Sequence, residues 1–189
     1  MIYLDNAATS RPYESAVKAA EEAIRNYGNP SSSHKAGRDG AYILENARRQ
    51  VASAFGCKPE NLTFTSGGTE ANNLAIFSLA RKNRRAGNRI ITDLTEHPSA
   101  LAPVEALAAE GFEIVYIPMS SGLSGSCQSA ALFAQDYDGK VQVVDNHRIS
   151  VTQKESVISA LRLAEQGYDA GQIRDFLEKH AYDASIYIT

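Results

Sequence analysis

The sequence predicts an α/β fold in which a mostly parallel sheet carries helices on both faces. Short segments rich in Val, Ile and Tyr alternate with segments of helical periodicity along most of the chain. Alternation of this kind builds a parallel sheet through right-handed crossover connections. A hydrophobic fraction of 43% and a charged fraction of 22% are those of an ordinary globular protein. We therefore expect one three-layer αβα domain.

The elements follow in order from the periodicity and from the turn residues. After a short extended entry, the first two helices are predicted at residues 13–26 and 38–55. Later helices are predicted at 69–83, 103–111, 126–137 and 151–166, and a last helix is capped by Asp169. Strands are predicted at 61–66, 89–94, 113–118, 141–146 and, at the end of the chain, 185–189.

Composition excludes several classes of function. The net charge is −3 and the basic residues form no long stripe, so we expect no nucleic acid partner. The tightest basic group, "RKNRR" at residues 81–85, suits the end of a helix. Cys57 and Cys127 have no metal-ligand spacing, so no metal is expected. Without a long apolar run or a signal-peptide pattern, we expect a cytoplasmic protein without a membrane partner.

The segment "FTSGGTEANN" at residues 64–73 favours an anion site. A strand there delivers Gly67 and Gly68 to a helix that begins near Thr69. Glycines let backbone N–H groups approach a ligand closely, and a helix N-terminus favours negative charge. The segment therefore predicts phosphate binding. The alternative is that the two glycines only make a tight turn.

Four motifs in the first part of the chain carry a family resemblance. They are "YLDNAATSRP", "YGNPSSSHKAGR", "FTSGGTEANNLAI" and "TEHPSALAP", in this order. Residues 1–118 thereby resemble the cysteine desulfurases of the class V aminotransferase family. The resemblance implies a site for pyridoxal 5′-phosphate (PLP).

The resemblance also assigns roles to individual residues. Gly68 and Thr69 are expected to hold the PLP phosphate, and His97 is expected to stack on the pyridine ring. Asn29 and His34 are expected near the substrate entrance.

The same resemblance supplies no catalytic residue within the matched region. PLP enzymes form a Schiff base with a lysine. In the family, this lysine and the sulfur-accepting cysteine come later in the sequence than the part that residues 1–118 resemble. None of the seven lysines has the family's setting, and Lys35 falls at a variable position of an upstream motif. Cys57 is expected to pack as a small apolar residue. Cys127 is either a filler or a thiol mildly activated by a helix start.

The segment "EIVYIPMSSGLSGSCQSA" at 113–130 leads into a second resemblance. "MSSGLSGSCQSA", "KVQVVDNHRISV" and "ALRLAEQGYDAGQIRDFLEKH" are similar to DegV-type fatty-acid-binding proteins over residues 119–189. That similarity implies that Ser121 contacts a fatty-acid carboxylate, with Ser120 and Ser124 as neighbours. The alternative is that these serines cap the helix that begins at Ser126.

These two resemblances lead to the hypothesis of a chimera. We expect a cysteine-desulfurase-like segment at 1–118 and a DegV-like segment at 119–189, joined near Pro118 in one folded domain. The expected product is an α/β hybrid without efficient catalysis that binds PLP at most weakly and noncovalently. The alternatives are fatty-acid binding and a structural scaffold without a ligand. We also expect self-association, such as a homodimer, because apolar surface is left uncovered.

Asp145 offers one link between the two halves. The class V family places an aspartate at a strand end beside the PLP ring nitrogen, so Asp145 is a candidate for this role if it lies near His97. The alternative is turn formation with Asn146. His147 and Arg148 are expected in a solvated loop, and the alternative is that they bind an anion.

Overall fold

A computed structural model describes residues 2–93 and 96–184. The chain divides into two compact units, Met1–Phe64 and Thr65–Thr189. The strand predicted at 185–189 lies outside the described residues.

The first unit consists of two helices and a short turn. Helix α1 spans Glu14–Arg25, α2 spans Lys35–Ala54, and a 3₁₀ turn covers Pro59–Asn61. The two helices confirm those predicted at 13–26 and 38–55. A close backbone approach holds the connector against α2, since a Cβ at Gly28 would lie 1.8 Å from the carbonyl oxygen of Ala36. Only glycine fits there without a backbone shift.

The strand predicted at 61–66 is wrong. Leu62 is extended, but residues 62–65 form no strand and pair with none in the described chain. The side chain of Arg48 takes the place of a ladder partner, because its guanidinium donates to the carbonyl of Leu62 and lies 5.0 Å from the centroid of the Phe64 ring.

The second unit is built on a three-stranded parallel sheet of order β1-β2-β3. Its strands are β1 (Arg89–Thr92), β2 (Glu113–Tyr116) and β3 (Val141–Val143). Arg89 is paired with Glu113 in the first ladder, and Ile114 is paired with Val141 in the second. All three strands were predicted from the alternating pattern.

Within residues 65–93 and 96–184, five α-helices surround this sheet. They are α3 (Gly68–Asn83), α4 (Pro98–Ala109), α5 (Ser126–Ala134), α6 (Ser150–Glu165) and α7 (Ala170–Lys179). Asp169 caps α7 as predicted, since its carboxylate accepts the N–H of Gln172 at 2.8 Å.

Successive residues of β2 supply the cores on the two faces of the sheet. Val115 packs with Ala160 of α6 and Ile173 of α7 on one face. Ile114 and Tyr116 pack on the other face in the cluster that includes side chains of α3, α4 and α5. Side chains alternate between faces along a strand, so one short strand is buried on both sides. The predicted α/β class with helices on both faces is confirmed.

An arginine clasp joins the C-terminal ends of α3 and α4. The guanidinium of Arg81 donates to the carboxylate of Glu110 at 2.5 and 3.2 Å, and Arg84 donates to the carbonyl of Glu110 at 2.8 Å. The basic group thus ends a helix, as predicted. This clasp keeps α3 alongside α4, and that pairing also brings their N-terminal ends together.

Candidate functional site

The N-terminus of α3 is open in front of its two glycines. No side chain caps the helix at Gly67, and a Cβ at either Gly67 or Gly68 would meet no atom within 4 Å. Gly67 has φ 166° and ψ −178°, which is extended backbone that any residue adopts. Neither packing nor conformation requires glycine here, so the space is free for a group that approaches the backbone. The first N–H groups of a helix attract an anion.

Glu70 shapes this loop from the first turn of α3. Its Oε2 accepts the backbone N–H of Ser66 at 2.6 Å and the Ser66 hydroxyl at 2.7 Å. These hydrogen bonds from Ser66 lower the pKa of Glu70 from its ordinary value. The carboxylate therefore stays ionised near the opening, where it also repels an incoming anion.

His97 caps α4 and presents an exposed ring. Its Nδ1 accepts the backbone N–H of Ser99 at 3.1 Å and lies 2.8 Å from the Ser99 hydroxyl. Because a backbone N–H can only donate, the neutral ring carries its proton on Nε2. The ring is therefore oriented with its Nε2 donor away from the backbone that Nδ1 contacts, and the residue is exposed.

Ser99 links the first turns of α3 and α4. The side-chain amide of Asn72 donates to the Ser99 hydroxyl at 2.8 Å, and that of Asn73 donates to the Ser99 carbonyl at 3.2 Å. The structure thus brings the helix start at Gly68 and the ring of His97 into one region. Sequence reasoning missed Asn72 and Ser99. The available signal was a serine two residues after the capping histidine, since short polar side chains bind backbone groups at helix starts.

Three hydrogen bonds of the serine loop between β2 and α5 (residues 119–125) run within the loop, to the start of α5 and to Asp145. The N–H of Ser121 donates to Oδ1 of Asp145 at 3.3 Å. The Ser120 hydroxyl accepts the N–H of Gly122 at 3.3 Å, and the Ser124 hydroxyl accepts that of Ser126 at 3.2 Å. These three backbone donors thus have protein acceptors, whereas the buried Ser126 hydroxyl has no partner in the described part of the chain. The arrangement favours the helix-capping alternative for these serines.

Asp145 lies at the end of β3, on the far side of β2 from β1. Burial alone would raise the pKa of Asp145, but hydrogen bonds from Ser121 and the nearby His147 hold it below its ordinary value. Its backbone N–H donates to Oε1 of Glu178 at 3.1 Å. The carboxylate of Asp145 thus contacts the serine loop and His147, and its pairing with a PLP ring beside His97 stays a prediction.

The expectation of a solvated loop fails for Arg148. Its guanidinium donates to the carbonyls of His180 at 2.6 Å and Ala181 at 3.2 Å, because the carbonyls at the end of α7 need donors. His147 is exposed and stacks on Tyr182 with ring centroids 5.8 Å apart.

The structure contradicts the role predicted for Cys57 and supports the filler role of Cys127. Cys57 is exposed after the end of α2, so its predicted apolar packing is wrong. Cys127 is buried, and burial together with the carboxylates of Asp145 and Glu178 raises the pKa of its thiol. Helix-start activation of Cys127 is therefore contradicted. Within residues 2–93 and 96–184, no group of three acidic, histidine or cysteine side chains is arranged to hold a metal.

Asn29 and His34 lie in the first unit. The Asn29 side chain accepts the N–H of Ser31 at 2.9 Å, and His34 caps α2 by accepting the N–H of Gly37 at 3.2 Å. Both side chains are exposed. Their role at a substrate entrance stays a prediction.

The chain belongs to the aminotransferase class-V family, which matches residues 2–165. The match continues past Pro118 into the segment compared above with DegV-type proteins, so the junction and the DegV-like origin of that segment stay predictions.

Relatives with similar sequences include cysteine desulfurases and a selenocysteine lyase. The chain is 41% identical to cysteine desulfurase IscS of Dictyoglomus turgidum over 62% of this chain and 30% of the relative. It is 42% identical to selenocysteine lyase of Xenopus tropicalis over 64% of this chain and 31% of the relative. Human cysteine desulfurase is 37% identical over 80% of this chain and 34% of that protein.

Solved structures support the fold. SspA in complex with cysteine superposes with a TM-score of 0.54 and 25% identity, covering 71% of this chain and 38% of SspA. A NifS-like protein gives a TM-score of 0.51 and 23% identity over 74% of this chain and 46% of that protein.

The chain spans about a third of the length of the curated relatives that it matches. In the part of the chain that the structure covers, no helix has both the length and the apolar character that a bilayer crossing requires.

Proposed function

We propose that this chain binds PLP noncovalently at the α3 N-terminus and does not turn over cysteine efficiently by itself. The observation that carries the proposal is the open space in front of Gly67 and Gly68. Neither the packing nor the backbone conformation at these positions requires glycine. Membership of the aminotransferase class-V family and similarity to cysteine desulfurases support it.

Three residues are assigned to the ligand. The backbone N–H groups of Gly68 and Thr69 donate to the phosphate, and the Thr69 hydroxyl adds a donor. The exposed ring of His97 stacks on the pyridine. When bound, PLP supplies an electron sink for chemistry on an amino group.

Binding is proposed to be noncovalent because Lys82 and Lys140 lie away from the glycines. Lys82 is at the opposite end of α3 from the glycines, and Lys140 immediately precedes β3. Lys179 ends α7, and Lys154 lies in the early part of α6. Lys154 follows Gln153, whose amide donates to Asp93 just after β1 at 2.8 Å, so Lys154 is the lysine to test. In the first unit, Lys35 is held 2.7 Å from the carboxylate of Asp39.

The test is PLP titration followed by borohydride reduction. We expect saturable binding that Thr69→Ala weakens severalfold, and no lysine adduct after reduction. A chain that binds no PLP at millimolar concentration would contradict the proposal. A stoichiometric adduct mapped to one lysine would also overturn it, with Lys154 as the residue to examine first. Sulfide release from cysteine, measured in parallel, checks the expected lack of turnover.

Fatty-acid binding through Ser121 is the second candidate and follows from the DegV-like hypothesis for residues 119–189. An incoming carboxylate would compete with Asp145 for the Ser121 N–H, so the described geometry favours PLP over a fatty acid. The position of the junction is compatible with folding, since β2 pairs with β1 on one side and β3 on the other. Native mass spectrometry of purified protein decides, because a co-purified fatty acid lost in Ser121→Ala would reverse this order.

A further inference from the structure

Four hydrogen bonds meet at Ser99, a buried residue that is 7% exposed. Two of them come from Asn72 and Asn73 of α3, and two run to Nδ1 of His97. We propose that Asn72 is a positioning residue for His97 and acts through the Ser99 hydroxyl. This inference rests on the proposed PLP site.

The chemistry of the groups fixes the direction of the chain of hydrogen bonds. An amide nitrogen only donates, so the Ser99 hydroxyl accepts from Asn72 at 2.8 Å. Its own hydrogen is then directed to another acceptor, and Nδ1 of His97 lies 2.8 Å away. The Ser99 N–H donates to the same nitrogen. Asn72 thereby orients the hydroxyl that orients the ring.

The His97 ring needs such support because it is exposed. Packing does not hold an exposed side chain in one rotamer, so its hydrogen bonds do. Asn72 follows Gly68 and Thr69 on the same helix. The network therefore ties the ring to the helix whose N-terminus takes the phosphate.

The hydrogen bonds from Asn72 through Ser99 to His97 should affect the affinity for PLP but not for inorganic phosphate. Its phosphate and its ring are separated by a short arm, so a ligand seated at Gly68 and Thr69 reaches His97 only when α3 and α4 are in register. Inorganic phosphate has no ring and is insensitive to that register. A positioning role for Asn72 thus predicts an effect on PLP affinity without an effect on phosphate affinity.

Binding of PLP and of inorganic phosphate to Asn72→Ala measures this split. Asn83→Ala is the matched control, because Asn83 lies on the same helix and its amide donates only within it, to the Leu79 carbonyl at 2.8 Å. We expect Asn72→Ala to weaken PLP binding about two- to tenfold, the range of one aromatic stacking contact, and to leave phosphate binding within about twofold.

A double-mutant cycle separates positioning from an independent contact. If Asn72 acts through His97, the pair Asn72→Ala/His97→Ala binds PLP no more weakly than His97→Ala alone. Additive losses would overturn the inference, and so would equal losses for PLP and phosphate.

The ring can also be observed without any ligand. Nitrogen-15 NMR of the four histidines, with His97 identified by His97→Gln, reports the tautomer and the environment of each ring. We expect the Nε2–H tautomer in the wild type, a shifted or averaged His97 signal in Asn72→Ala, and an unchanged signal in Asn83→Ala. A His97 signal that is identical in Asn72→Ala and the wild type would overturn the inference. A shift in a chain that binds no PLP would support positioning while the proposed function fails.

Discussion

The loop before α3 and the loop before α5 are both rich in glycine and serine, yet their donors have different partners. In the first loop, no side chain caps the helix at Gly67, and the space beyond the glycines is open. In the second, the Asp145 carboxylate accepts the Ser121 N–H, and the Ser124 hydroxyl accepts the Ser126 N–H. Composition alone therefore does not make an anion site. In the second loop Asp145, two residues after β3, occupies the Ser121 N–H, although α5 also has no side-chain cap at Gly125 and the buried Ser126 hydroxyl has no partner in the described residues.

The two loops also share a location in the second unit. The serine loop follows the carboxyl end of β2, and the start of α3 is bonded to the start of α4, which follows the carboxyl end of β1. Ligands of open α/β sheets bind at the carboxyl ends of strands. The difference in their donors, and not their position in the fold, separates the two candidates.

The largest effect is expected when a methyl group is added to each loop, by Gly68→Ala in the first and Gly125→Ala in the second. Gly68→Ala projects a Cβ into the space assigned to the phosphate, so we expect PLP and phosphate affinity to fall about tenfold or more, the scale of losing one charge-assisted hydrogen bond. Isothermal titration measures the affinity. Unfolding in denaturant should show no loss of stability, because alanine is the better helix former by about 1 kcal/mol.

Gly125→Ala is the matched control for Gly68→Ala. A Cβ at Gly125 also meets no atom within 4 Å, and Gly125 directly precedes α5 just as Gly68 opens α3. We expect unchanged PLP affinity in this variant. An equal loss in both variants would mean that the two loops do not differ in the way described.

A second test sharpens the comparison through the pH dependence of stability. Because the folded pKa of Asp145 is lowered, its ionised form stabilises the folded chain. That contribution is fully present above the unfolded pKa of about 3.9 and is lost as pH falls through the lower folded value. We expect Asp145→Asn to reduce the free energy of unfolding at pH 7 by roughly 1 kcal/mol, since Asp145 is partly exposed.

The difference between the wild type and Asp145→Asn should shrink as the pH falls from about 4 through the lowered folded pKa of Asp145, below which both side chains are neutral. Urea unfolding at a series of pH values measures it, with the exposed Asp136→Asn as the control. A difference that persists at pH 2 would show that the carboxylate does not stabilise the serine loop.

The smallest expected effect comes from the charge of Glu70. Glu70→Gln removes a negative charge near the open helix start while the amide oxygen still accepts from Ser66. We expect phosphate affinity to rise about twofold at low salt, and the gain to disappear at high salt through screening. Exposed Glu60→Gln in the first unit is the control. Weaker phosphate binding in Glu70→Gln would indicate that its main role is to shape the loop.

Periodicity predicted most of the fold because burial follows it in the second unit, whereas α1 was predicted from the same kind of pattern although none of its residues is buried. The strands β1 to β3 and the helices α1 to α7 correspond to segments whose apolar residues repeat at the period of a strand or a helix. The strand predicted at 61–66 shows the limit. Its residues favour a strand, but Arg48, distant in sequence, binds the Leu62 carbonyl that a neighbouring strand would need.

Part of the candidate site could also be read from the sequence. Gly68, Thr69 and His97 were predicted from local motifs, and the structure brings the two helix starts together through Ser99. The contributions of Asn72 and Ser99 depend on how α3 lies against α4, which local patterns do not encode. The acceptor role of Asp145 toward Ser121 likewise depends on two strands being neighbours in the sheet.

The most direct test of the central claim is amide NMR of the labelled chain during titration with PLP. The account predicts saturable shifts at the amides of Gly68, Thr69 and Glu70, with smaller shifts around His97 and none at Ser121 or Ser124. Shifts confined to the serine loop, or no saturable shift at the start of α3, would contradict it.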